Sequence, residues 1–253
     1  MSKLSAIVVC FNEADNIGPC LESLRWAEEI VVVDSFSTDK TPEIARQYTD
    51  RVLQREFDGY ASQRNWALSQ TASPWVLMVD ADERISPELR QELEHLIEKP
   101  EAPEAYKIRR RNFFAGREIR YCGWQRDWVL RLFKRDKAAY KETRLHESVH
   151  VEGRVGRCQA AMVHYPYKNL DEYLQKLRRY ADLGGQDAAQ AGKHAGFFRL
   201  FFHPLGRFLR MYLLQKGFLD GLHGLIICLL AACYVTMQDV RLWELENLPE
   251  DIS

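Results

Sequence analysis

Asp80 and Asp82 stand one residue apart in "VLMVDADERI", and Glu83 follows directly, so three acids crowd into four positions at the end of an apolar run. Two carboxylates spaced in this way offer hard oxygen ligands to a divalent cation and leave coordination positions for a diphosphate. Alone, a D-x-D pattern is weak. Two earlier segments strengthen it: Asn12 and Glu13 follow the apolar run Leu4 to Cys10, and Asp34, Ser35, Ser37, Thr38 and Asp39 close "EIVVVD" and its continuation. Each of these alone could equally be a helix cap or a turn residue. Another set could move protons. Asp127 in "QRDWVLRLF" and Glu147 in "TRLHESVHVEG" are the candidates for a carboxylate that deprotonates a hydroxyl. Of the histidines His146, His150 and His164, the last could complete a metal shell. Six basic residues between Lys107 and Arg120 face one acid, Glu118, with Trp124 and Trp128 just beyond. Guanidinium forks suit phosphate, and the same segment read plainly is a charged loop beside two core tryptophans.

These residues need elements to hold them. Short apolar runs alternate with helical spacing through about residue 100, which reads as a parallel sheet covered by helices. Strands are expected at Leu4 to Cys10, Glu29 to Asp34, Val52 to Gln54 and Trp75 to Asp80. Between them fall helical patterns: Ile17, Cys20, Leu21 and Leu24; a helix opened by Thr41 as N-cap with Pro42 behind it; Tyr60 to Ser69; and a helix opened by Ser86-Pro87. Ligands of such sheets bind beyond the carboxyl ends of the strands, where all three acidic segments fall. Neither G-x-G-x-x-G nor G-x-x-x-x-G-K-[ST] is present, which argues against a dinucleotide enzyme or a P-loop NTPase.

The chain has 253 residues, 35 basic and 36 acidic, so no global charge points to nucleic acid. Its six cysteines are widely spaced, as in a reducing compartment, and the N-terminal apolar run is too short for a signal peptide, which places the protein in the cytosol. From Phe197 the composition turns to aromatic clusters with Lys and Arg, and no acid occurs from Ala188 to Leu219. That pattern fits a helix lying on an anionic membrane surface; a helical hairpin packed on protein would read similarly. The apolar run Gly224 to Met237 would span about 21 Å as a helix, short of a hydrocarbon core of roughly 30 Å, so no crossing is expected.

"IVVCFNEADNI", "VVVDSFSTDKT" and "VLMVDADERI" resemble, in order, the donor-site segments of glycosyltransferase family 2, over residues 4 to 170. The resemblance implies an α/β, GT-A type, Rossmann-like and mostly parallel sheet with flanking helices that binds a nucleotide-sugar at its strand ends. It implies that Phe11 and Asp34 contact the base, with Asn12 and Glu13 beside them. Asp80 would serve the ribose or metal region, Asp82 would bind a Mg²⁺ or Mn²⁺ bridging the diphosphate, and Arg64 in "ASQRNWAL" would face that diphosphate. The segment around Glu147 looks like the family's acceptor-side base motif, which favours Glu147 over Asp127. "NFFAGREIRYCGW", "DWVLRLFKR", "LHESVHVEG" and "HYPYKNLDEYLQKLRRYA" are similar to the subfamily that adds a hexose to the heptose of the lipopolysaccharide inner core. An inverting, single transfer from UDP-glucose to a glycolipid at the cytoplasmic face of the inner membrane follows as the expectation. A polyprenyl phosphate acceptor, and a non-catalytic sugar-nucleotide-binding scaffold, are the alternatives. The processive Gln-x-x-Arg-Trp motif is absent, since Arg179 follows Gln175 to Arg178. A transferase domain over 1–170 and a helical extension over 171–253 are expected.

Overall fold

A computed structural model of the chain describes residues 3–141, 148–167 and 169–248. The chain forms two compact units, one of Met1–Arg111 with Asp127–His164, the other of Asn112–Arg126 with Tyr165–Ser253. The segment 112–126 therefore groups with the C-terminal helices, whereas the sequence pattern puts it in the transferase domain.

In the first unit β1 (Leu4–Cys10), α1 (Ala14–Glu22), β2 (Glu29–Asp34), α2 (Thr41–Ala45), β3 (Val52–Gln54), α3 (Tyr60–Ser69) and β4 (Trp75–Asp80) alternate as expected. Then come β5 (Glu83–Arg84), α4 (Pro87–Glu98) and β6 (Ala105–Phe114), which leads into β7 (Arg117–Glu118) of the second unit. β8 (Trp128–Lys134), β9 (Ala138–Lys141), β10 (Ser148–Val151) and β11 (Val155–His164) complete the first unit. The helices α5 (Leu170–Gln190), α6 (Phe197–Leu209) and α7 (Gly221–Asn247) make up most of the second.

The main sheet runs β3-β2-β1-β4-β8-β6-β11-β5. Its first four strands are parallel, and β8 joins β4 antiparallel, as β6 joins β8 and β5 joins β11. Both faces of the parallel half are covered, so its strands carry almost unbroken apolar runs. Leu4, Ala6 and Val8 meet Leu89 and Leu93 of α4 on one side, while Ile7, Val31, Val33 and Met78 meet Ala67 and Leu68 of α3 on the other. Each of the larger side chains stabilises the fold by about 1.5–3 kcal/mol relative to exposure. The basic segment is not a loop. Lys107, Arg109 and Arg111 alternate with buried or half-buried neighbours along β6, whose pairing with β8 shifts register between Tyr106 and Lys107.

The caps behave individually. Ser86 caps α4, its Oγ accepting from the Leu89 N–H at 3.2 Å, with Pro87 first in the helix. Thr41 is not the cap of α2: Lys40 occupies that position, and the Thr41 hydroxyl instead accepts from the Glu13 N–H at 2.8 Å. The competing partner from the β1 end takes the oxygen that the helix would have used.

In the second unit α5 and α6 pack on α7, around a core that includes Phe114, Tyr173, Leu177, Met211, Ile227 and Cys228. Gly185 of α5 lets α7 approach closely, since a Cβ there would lie 2.9 Å from the Arg241 Cβ and 3.2 Å from the Gln238 carbonyl oxygen. Buried Asp220 accepts from the N–H groups of Arg120 at 3.2 Å and Tyr121 at 2.8 Å, which ties the 112–126 segment to the helices. The length argument against crossing a membrane does not survive. α7 has 27 residues, a rise of about 40 Å, and Gly217–Asn247 is long and apolar enough to cross by length and composition, with a third of its apolar window buried. Gln238 and Asp239 end the apolar run in sequence but not the helix, because Asp239 is buried and paired.

Candidate active site at the strand ends

The site begins where β1 and β2 stop. Asn12 and Phe36 both take left-handed backbone, φ 55° and 59°, a region that ordinary side chains avoid. Hydrogen bonds hold the two turns against each other. The Asn12 N–H donates to Ser37 Oγ at 2.8 Å, and the Asn12 side-chain oxygen accepts from the Thr38 N–H at 2.8 Å. Asp39 accepts from the N–H groups of Ala14 at 3.1 Å and Thr41 at 2.9 Å. Asn12 is thus a stitch between turns, and Glu13 accepts from Asn16 Nδ2 at 2.8 Å. Phe11 is 56% exposed at the same edge, an apolar ring left for a planar partner.

Asp34 is fully buried. It accepts from the Ser37 N–H at 3.0 Å, from the Ser37 hydroxyl and from Gln54 Nε2 at 3.2 Å. Burial, with the Asp34 carboxylate beside it, pushes the Cys10 thiol far above its ordinary range. Cys20 is driven up likewise, chiefly by burial. Neither thiol is a nucleophile at neutral pH.

At the end of β4 the acids separate by role. Arg64 Nη2 donates to Asp80 at 2.7 Å, and Arg131 donates both to Asp80 and, at 2.7 Å, to Glu83. Burial alone would raise the Asp80 carboxyl; the charges of Arg131 and then Arg64 outweigh it and hold that carboxyl well below the usual carboxylate range. Glu83 is fully buried, accepts from the Asp80 N–H at 3.0 Å and lies 3.4 Å from Arg110. Arg110 in turn grips Asp127 through Nε and Nη2, both at 2.8 Å. Three guanidinium groups and three carboxylates form one network, so Asp80 and Arg64 meet each other and Asp127 has both oxygens engaged. Arg131 was not among the sequence candidates. Its signal is a charged residue inside the apolar strand "WVLRLFK", which becomes 4% exposed.

Asp82 stands outside that network. Its Oδ2 lies 3.4 Å from His164 Nε2, and its buried Oδ1 has no hydrogen-bond partner among the described residues. The chain brings these two together because His164 pairs with Glu83 across β11 and β5. Among the described residues no group of three or more His, Cys, Asp and Glu is placed to hold a metal, so Asp82 and His164 form a pair only. An orphaned carboxylate oxygen beside an imidazole nitrogen nonetheless fits a divalent cation that takes its remaining ligands from phosphate and water. Glu147 and His146 lie outside the described residues, and His150 is exposed on β10. Trp128 carries the Arg157 guanidinium 5.2 Å over its ring.

Residues 5–160 match the glycosyl transferase family 2 model. The lipopolysaccharide core biosynthesis glycosyltransferase LpsC of Rhizobium meliloti (strain 1021) is 32% identical over 248 residues, covering 95% of this chain and 92% of that protein. An uncharacterised glycosyltransferase of Rickettsia typhi is 26% identical over 257 residues, covering 97% and 88%. Among solved structures, that of S. aureus TarS 1–349 aligns with a TM-score of 0.48 and 18% identity, over 94% of this chain and 89% of that one. With the matched region spanning the strand ends and their acids, the chain belongs to glycosyl transferase family 2 and is a glycosyltransferase.

Proposed function

We propose that the protein transfers one hexose, with inversion, from UDP-glucose to a heptose of a lipopolysaccharide inner-core acceptor, at the cytoplasmic face of the inner membrane and with Mg²⁺ or Mn²⁺. The observation that carries the site assignment is the buried, unpartnered Oδ1 of Asp82 next to His164. The acceptor class is supported by the near full-length similarity to LpsC.

When bound, a divalent cation would neutralise charge developing on the leaving diphosphate. Asp82 and His164 would hold it. Phe11 offers a ring for the base, and Asp34 fixes the β2 turn through Ser37. Arg64 and Arg131 keep Asp80 ionised and oriented at the edge. With Asp127 gripped by Arg110, Glu147 is the residue assigned to take the acceptor proton.

Calorimetry of UDP with Mn²⁺ tests the metal assignment. Asp82→Asn is expected to weaken binding at least tenfold, and EDTA should bring the parent to the same level. Equal affinity of parent and variant without EDTA would remove Asp82 from the metal. Labelled UDP-glucose offered with heptose-terminated core lipid, and separately with polyprenyl phosphate, tests the acceptor: labelling of the second alone would overturn it.

A further inference from the structure

α6 carries one broad apolar face, and much of it is left exposed among the described residues. Phe197 and Phe198 are 77% and 75% exposed, and Phe201, Phe202, Leu205 and Leu209 are exposed with them. At about 100° per residue these six fall within an arc of about 140°. Phe197 stacks on Phe201 and Phe198 on Phe202, ring centroids 6.3 and 6.1 Å apart, so the arc is an ordered ridge of rings. Leu200, Pro204 and Phe208 are less exposed and lie along one edge of this arc, while Arg199 and His203 fall on the side away from it.

The helix is fixed by charge. Buried Asp239 of α7 takes Arg199 Nε at 2.7 Å on one oxygen and His203 Nδ1 at 2.8 Å on the other. A surface helix normally turns its apolar stripe inward and its charges out. Here a charged pair holds the inner side and the phenylalanines point away, an exposed apolar patch of the kind that marks an interaction surface.

Charge decides the occupant. Lys193, Arg207, Arg210 and Lys216 are exposed in the same segment, which has no acid from Ala188 to Leu219. The nearby acids of α7 are engaged, Asp239 as above and Glu246 by His194 and the Ala195 N–H. A second copy would bring like charges together. An anionic leaflet would bring phosphates to the cations and acyl chains to the rings. Arg199 faces Asp239 and so is not available to the leaflet.

We infer that α6 is an in-plane membrane anchor which the Asp239 clamp holds with its phenylalanine ridge toward an anionic phospholipid leaflet. This is independent of the transfer reaction proposed above, because vesicle binding needs no donor. The test is co-sedimentation of the full chain with phosphatidylglycerol/phosphatidylcholine vesicles and with pure phosphatidylcholine, beside UDP calorimetry and thermal midpoints. Parent protein should sediment with the anionic vesicles and at least tenfold less with the neutral ones. Phe198→Asp/Phe202→Asp should reduce anionic binding at least tenfold with parent UDP affinity and midpoint; Phe198→Ser/Phe202→Ser, which adds no charge, should give a smaller loss in the same direction. A parent that ignores anionic vesicles overturns the inference. So do folded variants that bind like the parent, which would mean that another segment holds the bilayer, and a parent dimer that the variants dissociate without any vesicle binding, which would mean that a second copy covers the ridge.

Discussion

At the scale of single residues, the site turns on which carboxylates are already engaged. Asp80, Glu83 and Asp127 share three arginines, whereas Asp82 keeps a buried oxygen open. The Arg110 guanidinium engages both oxygens of Asp127 and so gives that carboxylate a structural partner. Glu147→Gln should therefore lower turnover by roughly 10²- to 10⁴-fold at parent UDP affinity. Asp127→Asn should instead lose about 1–3 kcal/mol of stability, as Arg110 loses a charged partner in a half-buried place, with turnover changed much less. Turnover and thermal midpoints of both variants separate the roles; parent-like turnover in Glu147→Gln with loss in Asp127→Asn would reverse them. The acids themselves were legible in the sequence from their place after apolar runs. Their division of labour was not, because Arg110 and Arg131 arrive from strands 27 and 48 residues beyond Glu83.

Elements were legible where burial is complete. The strands β1, β2 and β4 carry apolar runs because both faces are covered, and their bounds follow from the sequence alone. The antiparallel half was hidden for the opposite reason: β6 alternates charge with burial, so "KIRRRNFF" reads as a basic loop until a partner strand is known. α7 was cut short in the sequence view because a polar pair looked like an end, although Asp239 is neutralised within the fold. Helix contact also gives meaning to "LGGQ". Gly185→Ala would push a Cβ against the Arg241 Cβ and the Gln238 backbone, and should cost about 1–3 kcal/mol despite the better helix propensity of alanine. At Gly184 the new Cβ would meet the flexible end of the Gln238 side chain, which can swing away, so Gly184→Ala should be neutral or mildly stabilising. Denaturant midpoints of the two variants decide this, and equal losses would count against a close α5–α7 approach at Gly185.

For the molecule as a whole, an almost neutral total of 35 basic and 36 acidic residues conceals two different uses of charge. In the first unit arginines and carboxylates cancel inside a network; in the second, exposed cations share an acid-free segment with an apolar ridge. Each unit has its own core, which composition alone does not reveal. The left-handed turns at Asn12 and Phe36 add a consequence in time. Such backbone costs roughly 1–3 kcal/mol per residue and persists only where its surroundings over-determine it. Asn tolerates this backbone better than most residues and Asp34 braces the Phe36 turn through Ser37, but the bonds that hold the two turns against each other join residues about 25 apart, such as Asn12 and Ser37. During refolding the strand-end edge must then form no earlier than the β1–β2 pairing that brings the turns together. Stopped-flow refolding should recover UDP binding with or after the far-ultraviolet circular dichroism signal, and a binding-competent species ahead of the sheet would contradict it.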